Sequence, residues 1–262
     1  MKGLILKDLM CLRKMRITFF FTVICTGIIG TMFVISARTG NIHTLNSMDA
    51  DLSAIDIKTI GTLVLTLFML LPLALAGDVG TVFSYDAKAS FAKVGVSLPI
   101  SIEKRVLAKY ITNLLMLGVG VLLDLGIAGL LASQTDIISF ADFVGIILSV
   151  AALMLIFGAF TIFYTFCLGI DKGDNALFLS LFSMAVILVV LRFRKVLNFF
   201  KMLIAASGPE GETTGELDLS IVTDMVEFLK HKYYILLLIA VLFMAASYLG
   251  SVCQVKRKRG MI

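Results

Sequence analysis

Apolar residues occur in long continuous runs along this chain, and the charged residues lie almost entirely between the runs. A helix needs about 20 mostly apolar residues to cross the ~30 Å hydrocarbon core of a bilayer. Membrane strands would instead alternate apolar and polar residues. Six runs reach the helical length, some only narrowly, and predict six membrane spans: Ile17–Ser36, Ile60–Gly77, Tyr110–Ala132, Val144–Gly169, Ala176–Phe193 and Tyr233–Val252. We therefore expect an all-α integral membrane protein, with residues 1–262 forming one domain.

Composition supports this interpretation. Hydrophobic residues make up 59% of the 262 residues, charged residues 16%, and the mean hydropathy is +1.01. An ordinary soluble domain is about 45–50% apolar and about 25% charged. The balance excludes a disordered chain, a coiled coil and a disulfide-stapled mini-protein, and it argues strongly against a soluble enzyme.

The basic residues are unevenly divided between the two sides of the predicted bundle. If the N-terminus lies inside the cell, the inner segments carry 15 of the 23 Lys and Arg residues and the outer segments carry eight. Basic residues are enriched in the cytoplasmic segments of membrane proteins. We therefore expect a multi-pass protein of the cell membrane with both termini in the cytoplasm. Because the basic clusters adjoin membrane spans, they favour lipid contacts and membrane topology over binding to nucleic acid.

The segment before the first span, residues 2–16, has apolar residues at helical spacing and four basic side chains that can reach lipid phosphates. These basic residues are Lys7, Arg13, Lys14 and Arg16. The pattern predicts an amphipathic helix in the membrane interface. The alternative is a basic flank that only sets the topology.

The longest inner connection, residues 78–109, holds two recognisable parts. Residues 84–94 can form a short helix on which Tyr85 and Phe91 are exposed among charged residues. Farther along, Pro99 disfavours helix at the preceding residue, and Ser101 is placed to cap a helix that continues into the third span. A soluble partner pressing on this loop would move two spans together. A purely structural connector is the alternative.

Two other connections are candidates for contacts. The tight inner turn between the fourth and fifth spans offers a partner the polar side chains of Asp171, Lys172, Asp174 and Asn175. Asp174 or Asn175 can also cap the fifth helix. The outer loop, residues 194–232, has two amphipathic stretches around a polar tip. These stretches predict two short helices on the outer membrane surface.

Asp124 is the one acidic residue well inside a predicted span, about 21 Å along the third span from Tyr110 at 1.5 Å per residue. A central Asp costs ~2.5–3.5 kcal/mol on insertion scales, which makes it a candidate functional residue. It can face a cavity, bind a cationic substrate group or pair across a dimer interface. Hydration near the outer interface is the structural alternative.

The chain lacks the motifs of common active sites. It contains no GxxxxGK[ST], HExxH or GxSxG sequence, and its two histidines and four cysteines are isolated from one another. It therefore offers no P-loop for ATP, no zinc site and no Ser/His/Asp set. We expect no enzyme activity, cofactor or metal in this chain. A transporter, a channel or a membrane scaffold remains.

Two stretches carry a family resemblance. The chain opens with MKGLILKDLMCLRK, and residues 83–110 read FSYDAKASFAKVGVSLPISIEKRVLAKY. Both resemble small bacterial ABC-2-type export permeases, whose corresponding connection reads roughly FSYDEKSGWxKYxxSLPISRKxxVxSKY. Residues 83–86, 97–101, Val106 and 109–110 match this pattern. Phe91 stands at the Trp position, Val94 replaces an aromatic residue, and Ile102-Glu103 replaces a basic pair.

The resemblance implies an ABC-2 transmembrane domain of the type V exporter kind. Two permease subunits, identical or related, would join two separate ATPase subunits that bind ATP and Mg²⁺. These ATPases would push on a coupling helix in the 78–109 loop. The implied contact residues are Tyr85, Asp86, Ala87, Lys88, Ser90, Phe91, Ser97, Leu98, Pro99 and Ser101.

The function expected from the resemblance is ATP-driven export of a substrate such as an amphipathic peptide or antibiotic. Two other interpretations remain open. An ATP-independent channel or secondary transporter would show an inverted repeat and several polar groups at the membrane midplane, and neither is evident. A membrane scaffold or immunity subunit can share the fold.

Overall fold

The computed structural model describes residues 2–38, 73, 75–76, 80–89, 100–133, 140–169, 172–191 and 231–259. Over these ranges the chain is helical, without strands. The helices are α1 (Lys2–Cys11), α2 (Arg13–Arg38), α3 (Gly80–Lys88), α4 (Ile102–Ala132), α5 (Phe140–Leu168), α6 (Gly173–Leu191) and α7 (Tyr233–Arg259).

Five of these helices overlap predicted spans. Helices α2, α4, α5, α6 and α7 fall on the first, third, fourth, fifth and sixth. Three stretches have the length and composition to cross a membrane: Ile102–Leu130, Phe140–Leu168 and Tyr233–Arg257. Two shorter apolar stretches are Ile17–Met32 and Gly173–Ile187. Nearly all of the second predicted span and of the 194–232 loop lies outside the described residues, so the count of six spans stays a prediction.

Two helices extend beyond the apolar runs that marked them. Helix α4 begins at Ile102, directly after Ser101, and enters the third span without a break, as the capping pattern predicted. Helix α7 runs to Arg259, seven residues past the predicted end at Val252. Lys and Arg are good helix formers, so the basic cluster ends the apolar run without ending the helix. The Lys256 ammonium also contacts the Glu103 carboxylate of α4 at 2.5 Å.

Helix α5 is the centre of the bundle and packs against α4, α6 and α7. Its contacts form three apolar clusters along the bundle. One cluster joins α5 to the C-terminal end of α4 through Ala128, Phe143 and Ile147. The middle cluster contains Leu73, Leu117, Ala151, Ala152, Leu155, Ile156 and Ala240. The third, at the end that holds α3, contains Phe83, Val106, Tyr110, Ala159, Ile162 and Val252.

Hydroxyl groups tie the helices together near the third cluster. The Tyr110 hydroxyl of α4 lies 2.7 Å from Ser247 Oγ and 3.0 Å from Ser251 Oγ, both on α7. Ser247 Oγ in turn donates to the Ala159 carbonyl of α5 at 2.8 Å. Hydrogen bonds between helices hold membrane bundles together where the hydrophobic effect is weak. These bonds fix α4, α5 and α7 to one another at this end of the bundle.

The turn between α5 and α6 depends on Gly169, which has a φ of 109°. Its N–H donates to the Thr165 carbonyl at 2.9 Å, which ends α5 with a left-handed residue, a conformation that favours glycine. Helix α6 begins at Gly173, so Asp174 and Asn175 lie inside its first turn. The prediction that one of them caps the helix is therefore wrong. An acidic residue in the first turn still interacts favourably with the helix dipole.

Candidate functional site

Helix α3 lies in the connection singled out from the sequence. It begins at Gly80, four residues before the predicted start at Ser84. Val82, Phe83 and Asp86 are its buried residues, because they fall on one face at helical spacing. The Phe83 ring meets the Phe166 ring of α5 edge-on, with centroids 5.7 Å apart. The buried face thus anchors α3 to the end of α5.

Asp86 belongs to a closed ring of four charges that joins three helices. Its Oδ1 atom lies 2.5 Å from Lys7 Nζ of α1, and its Oδ2 atom lies 2.5 Å from Lys109 Nζ of α4. Asp8 Oδ1 of α1 lies 2.9 Å from Lys109 Nζ and 3.0 Å from Lys7 Nζ. Positive and negative groups therefore alternate around the ring. We call Lys7, Asp8, Asp86 and Lys109 the charge ring.

Burial makes the charge ring energetically important. The side chains of Asp8, Asp86 and Lys109 are 2%, 4% and 10% exposed, whereas that of Lys7 is 26% exposed. A buried charge is tolerated only with a partner and hydrogen bonds, and here each carboxylate meets two ammonium groups. The ring carries no net charge. The Lys109 ammonium also lies 5.2 Å from the centroid of the Phe83 ring, within range of a cation–π interaction.

The pKa of Lys7 reflects this balance. Burial acts on it most strongly and alone would lower the pKa of the ammonium group. Hydrogen bonds to Asp86 and Asp8, together with their negative charges, outweigh burial and raise the pKa above its ordinary value of 10.5. Lys7 therefore stays charged, and it closes the ring.

Two expectations about these residues change. Asp86 was expected on the exposed side of the coupling helix, but it is 3% exposed and held inside the chain. Lys7 was expected to reach lipid phosphates, but it binds the carboxylates of Asp86 and Asp8. Asp8 and Lys109 were not singled out as partners. The sequence held one clue to this partnership. Lys7 and Asp8 occur in MKGLILKDL, Asp86 in FSYD and Lys109 in AKY, so all four residues belong to the stretches that carry the family resemblance, although these stretches lie far apart in sequence.

The accessible side of α3 carries the remaining described candidates. Lys88 is exposed, Tyr85 and Ala87 are half-buried, and Lys88 Nζ lies 5.9 Å from the centroid of the Tyr85 ring. Ser101 is exposed, and its carbonyl accepts a hydrogen bond from the Arg105 N–H at 3.2 Å, in the first turn of α4. The other candidates of this loop lie outside the described residues: Ser90, Phe91, Ser97, Leu98 and Pro99.

The predicted turn contact lies at the same end of the bundle. Lys172 is exposed just before α6, and Asp174 and Asn175 are exposed in its first turn, while Asp171 lies outside the described residues. Helix α3 packs against α6 as well as α5. Two polar surfaces singled out from sequence, on α3 and in this turn, are thus brought to one end of the bundle.

Asp124 lies in the interior, away from the charge ring. It is 0% exposed, and neither carboxylate oxygen has a hydrogen-bond partner among the described residues. Thr112 Oγ1 and both polar side-chain atoms of Asn113 are also buried, and no residue in the described ranges forms a hydrogen bond with them. Each such group costs ~1–3 kcal/mol, and a charged group costs more. The burial contradicts the alternative that Asp124 is hydrated near the outer interface.

The described residues offer no metal centre, since nowhere among them do three His, Cys, Asp or Glu side chains come together. The four cysteines are free thiols. The described site is an arrangement of charges and helices around the charge ring. Its geometry connects a partly exposed helix, α3, to α1 and to the long helix α4.

Comparison with known proteins identifies the family. Residues 52–256 match the sequence profile described as ABC-2 family transporter protein. No curated protein and no solved structure matches the chain significantly. The match includes α3 to α6 and most of α7, whereas α1, with Lys7 and Asp8, precedes it. With more than half of its length matched and its apolar helices, this chain belongs to the ABC-2 family of membrane transporter proteins and is an ABC-2-type permease.

Proposed function

We propose that the chain is the membrane subunit of an ATP-driven exporter and that α3 receives the movement of a separate ATPase. ABC-2 permeases generally work with an ABC ATPase. In the proposed assembly, two ATPase subunits serve two permease subunits, identical or related, in a bacterial cell membrane. Both termini lie in the cytoplasm, and α1 lies in the inner membrane interface. An amphipathic peptide or antibiotic is the proposed class of substrate.

The observation that supports this proposal is the charge ring. A force on α3 reaches Asp86, and Asp86 is bound to Lys7 of α1 and Lys109 of α4. Because the ring is buried, separating these charges is costly, so the three helices would move together. Lys109 stands in an unbroken helix that continues through a predicted span. A push at the surface is thereby passed to a membrane helix.

Asp86 is occupied by contacts inside the chain, so on α3 the contact with the ATPase would fall to Lys88 and to the accessible parts of Tyr85 and Ala87. Lys88 provides a positive charge, so an acidic residue of the ATPase is the complementary partner. The exposed turn with Lys172 and Asp174 offers a second contact.

The first experiment is purification of the tagged chain in mild detergent, followed by identification of bound proteins and an ATPase assay. We expect a P-loop ATPase to co-purify at equal stoichiometry and to hydrolyse ATP. A chain that comes out alone and inert under several detergents would contradict the proposal.

The contact is then tested on the exposed side of α3. We expect Lys88→Glu to reduce co-purification of the ATPase, or to separate ATP hydrolysis from transport, without lowering the melting temperature of the permease. Lys104→Glu is the matched control, because Lys104 is exposed near the same end of the bundle but lies on α4. Equal effects of the two substitutions would show a general role of positive charge, and no effect of Lys88→Glu would remove α3 from the contact.

A further inference from the structure

We propose that Asp124 is a binding group for a cation that carries an apolar body, and that the ligand reaches it when α4 separates from its neighbours. This inference rests on the proposed transport function, because it assigns a class of cargo to the same permease. It starts from an imbalance: Asp124 is fully buried, and its two carboxylate oxygens have no partner among the described residues.

By sequence, the predicted spans offer Asp124 almost no positive group. The predicted spans contain one basic residue, Arg192, at the end of the fifth span and outside the described residues. Lys109, on the same helix, lies about 22 Å away at 1.5 Å per residue and is engaged in the charge ring. A carboxylate only accepts hydrogen bonds, so an external cation is the group that would complete it.

The unpartnered groups share one helix. All the buried side-chain polar atoms without a partner in the described part belong to Thr112, Asn113 and Asp124 of α4. Asn113 and Asp124 are 11 residues apart, which returns to the same face of a helix within about 20°. Asn113 is pressed against α5, where a side chain at Gly158 would collide with its amide. This face of α4 is therefore polar but closed.

The closed arrangement favours a transition. Polar groups that are buried without partners disfavour the packing that buries them, whereas separation of α4 would expose them to water or to a ligand. Along α4 this face is flanked by apolar residues: Leu117 belongs to the middle cluster, and Ala128 belongs to the cluster with Phe143 and Ile147 of α5. A ligand that suits such a place combines a positive charge with apolar surface. A bare metal ion would lack the additional oxygen ligands that it needs.

Two other roles for Asp124 fit the geometry less well. A second copy of the chain cannot contact a side chain that is 0% exposed, so direct pairing across a dimer interface is incompatible with this arrangement. A structural pair with Arg192 would give the carboxylate a partner inside the protein. This second possibility is an outcome of the test below.

The probe is radiolabelled tetraphenylphosphonium, a monovalent cation with an apolar body, and binding is measured on the purified full-length chain in detergent. Neutral triphenylphosphine oxide is the matched competitor. We expect saturable binding of the cation, little competition by the neutral compound, and at least about tenfold weaker binding to Asp124→Asn, equivalent to 1.4 kcal/mol. Asp124→Glu should keep most of the affinity. Asp142→Asn, on α5, is the control and should bind like the unmodified protein.

Stability supplies the second measurement. Because Asp124→Asn replaces a buried carboxylate by a neutral amide of similar size, it lowers the cost of burial, and we expect its melting temperature to equal or exceed that of the unmodified chain. A melting temperature that falls equally in Asp124→Asn, Arg192→Gln and the double variant would reveal an internal pair and overturn the inference. Unchanged binding by Asp124→Asn, equal competition by the neutral compound, or no saturable binding would also overturn it. None of these measurements needs an ATPase, so failure to co-purify one would contradict only the proposed exporter function.

Discussion

Lys109 is the residue through which α4 enters the charge ring, and Lys109→Met removes its charge while keeping a long side chain. Asp8 and Asp86 would then share only Lys7, leaving the ring with a net charge of −1. Asp8 and Asp86 are 1% and 3% exposed, so water cannot replace the lost partner. Removing one partner from a buried ion pair costs about 3–5 kcal/mol.

The lower part of that range applies because Lys7 remains and is partly exposed. In a protein of 150–250 residues, 1 kcal/mol shifts the melting temperature by about 2–4 °C. We therefore expect Lys109→Met to lower the melting temperature in detergent by roughly 6–12 °C. Glu103→Gln is the control, since it breaks an exposed ion pair between the same end of α4 and α7 and should change little.

A double variant tests the reasoning itself. Lys109→Met combined with Asp8→Asn leaves the Lys7–Asp86 pair and restores a net charge of zero. We expect the double variant to melt at a higher temperature than Lys109→Met alone, although it carries one more substitution. A further decrease, or a Lys109→Met variant as stable as Glu103→Gln, would refute the idea that the four residues form one charge-balanced unit.

Three other measurements follow from described contacts. Ser247→Ala should lower the free energy of unfolding by about 0.6–1.7 kcal/mol, because Ser247 joins three helices; an unchanged value would show that Tyr110 finds a substitute. Gly158→Ala should destabilise the bundle by collision with Asn113, and adding Asn113→Ala should recover stability; a double variant no better than Gly158→Ala would contradict the contact. The pKa of Lys7 is raised on folding, so its contribution to stability is present below about pH 10.5 and is lost as the pH rises through the folded-state value. Melting temperatures should fall above that pH more steeply for the unmodified chain than for Lys7→Gln, and equal slopes would count against the ring.

Much of the helical architecture was predictable because hydrophobic run length is a strong signal in a membrane. The runs located α2 and α4 to α7, and the Ser101 pattern located the start of α4. The ends were less predictable. The apolar run of the sixth predicted span ends at Val252, but the helix that contains it continues to Arg259. Hydropathy indicates whether a segment lies in lipid or in water, whereas the end of a helix depends on capping groups and tertiary contacts.

The site was predictable in part. The sequence pointed to the loop that holds α3 and to Asp124, because a motif and an intramembrane acid are visible locally. The partners of Asp86 were not visible, since Lys7 and Lys109 are 79 and 23 residues away. A charged residue in a polar loop is expected to face water by default. Only the folded arrangement shows that three such residues come together with Asp8 in the interior.

The unbroken course of α4 gives it the properties of a lever. At Gly120 the helix lies so close to the neighbouring segment that a side chain would collide with Ala76. About 16 Å of helix separate Gly120 from Lys109, and about 6 Å separate it from Asp124, at 1.5 Å per residue. If α4 tilts about this point, Asp124 moves in the opposite direction to the charge ring and a little over a third as far. A large movement of the charge ring would then produce a smaller displacement of Asp124 in the interior, with a correspondingly larger force.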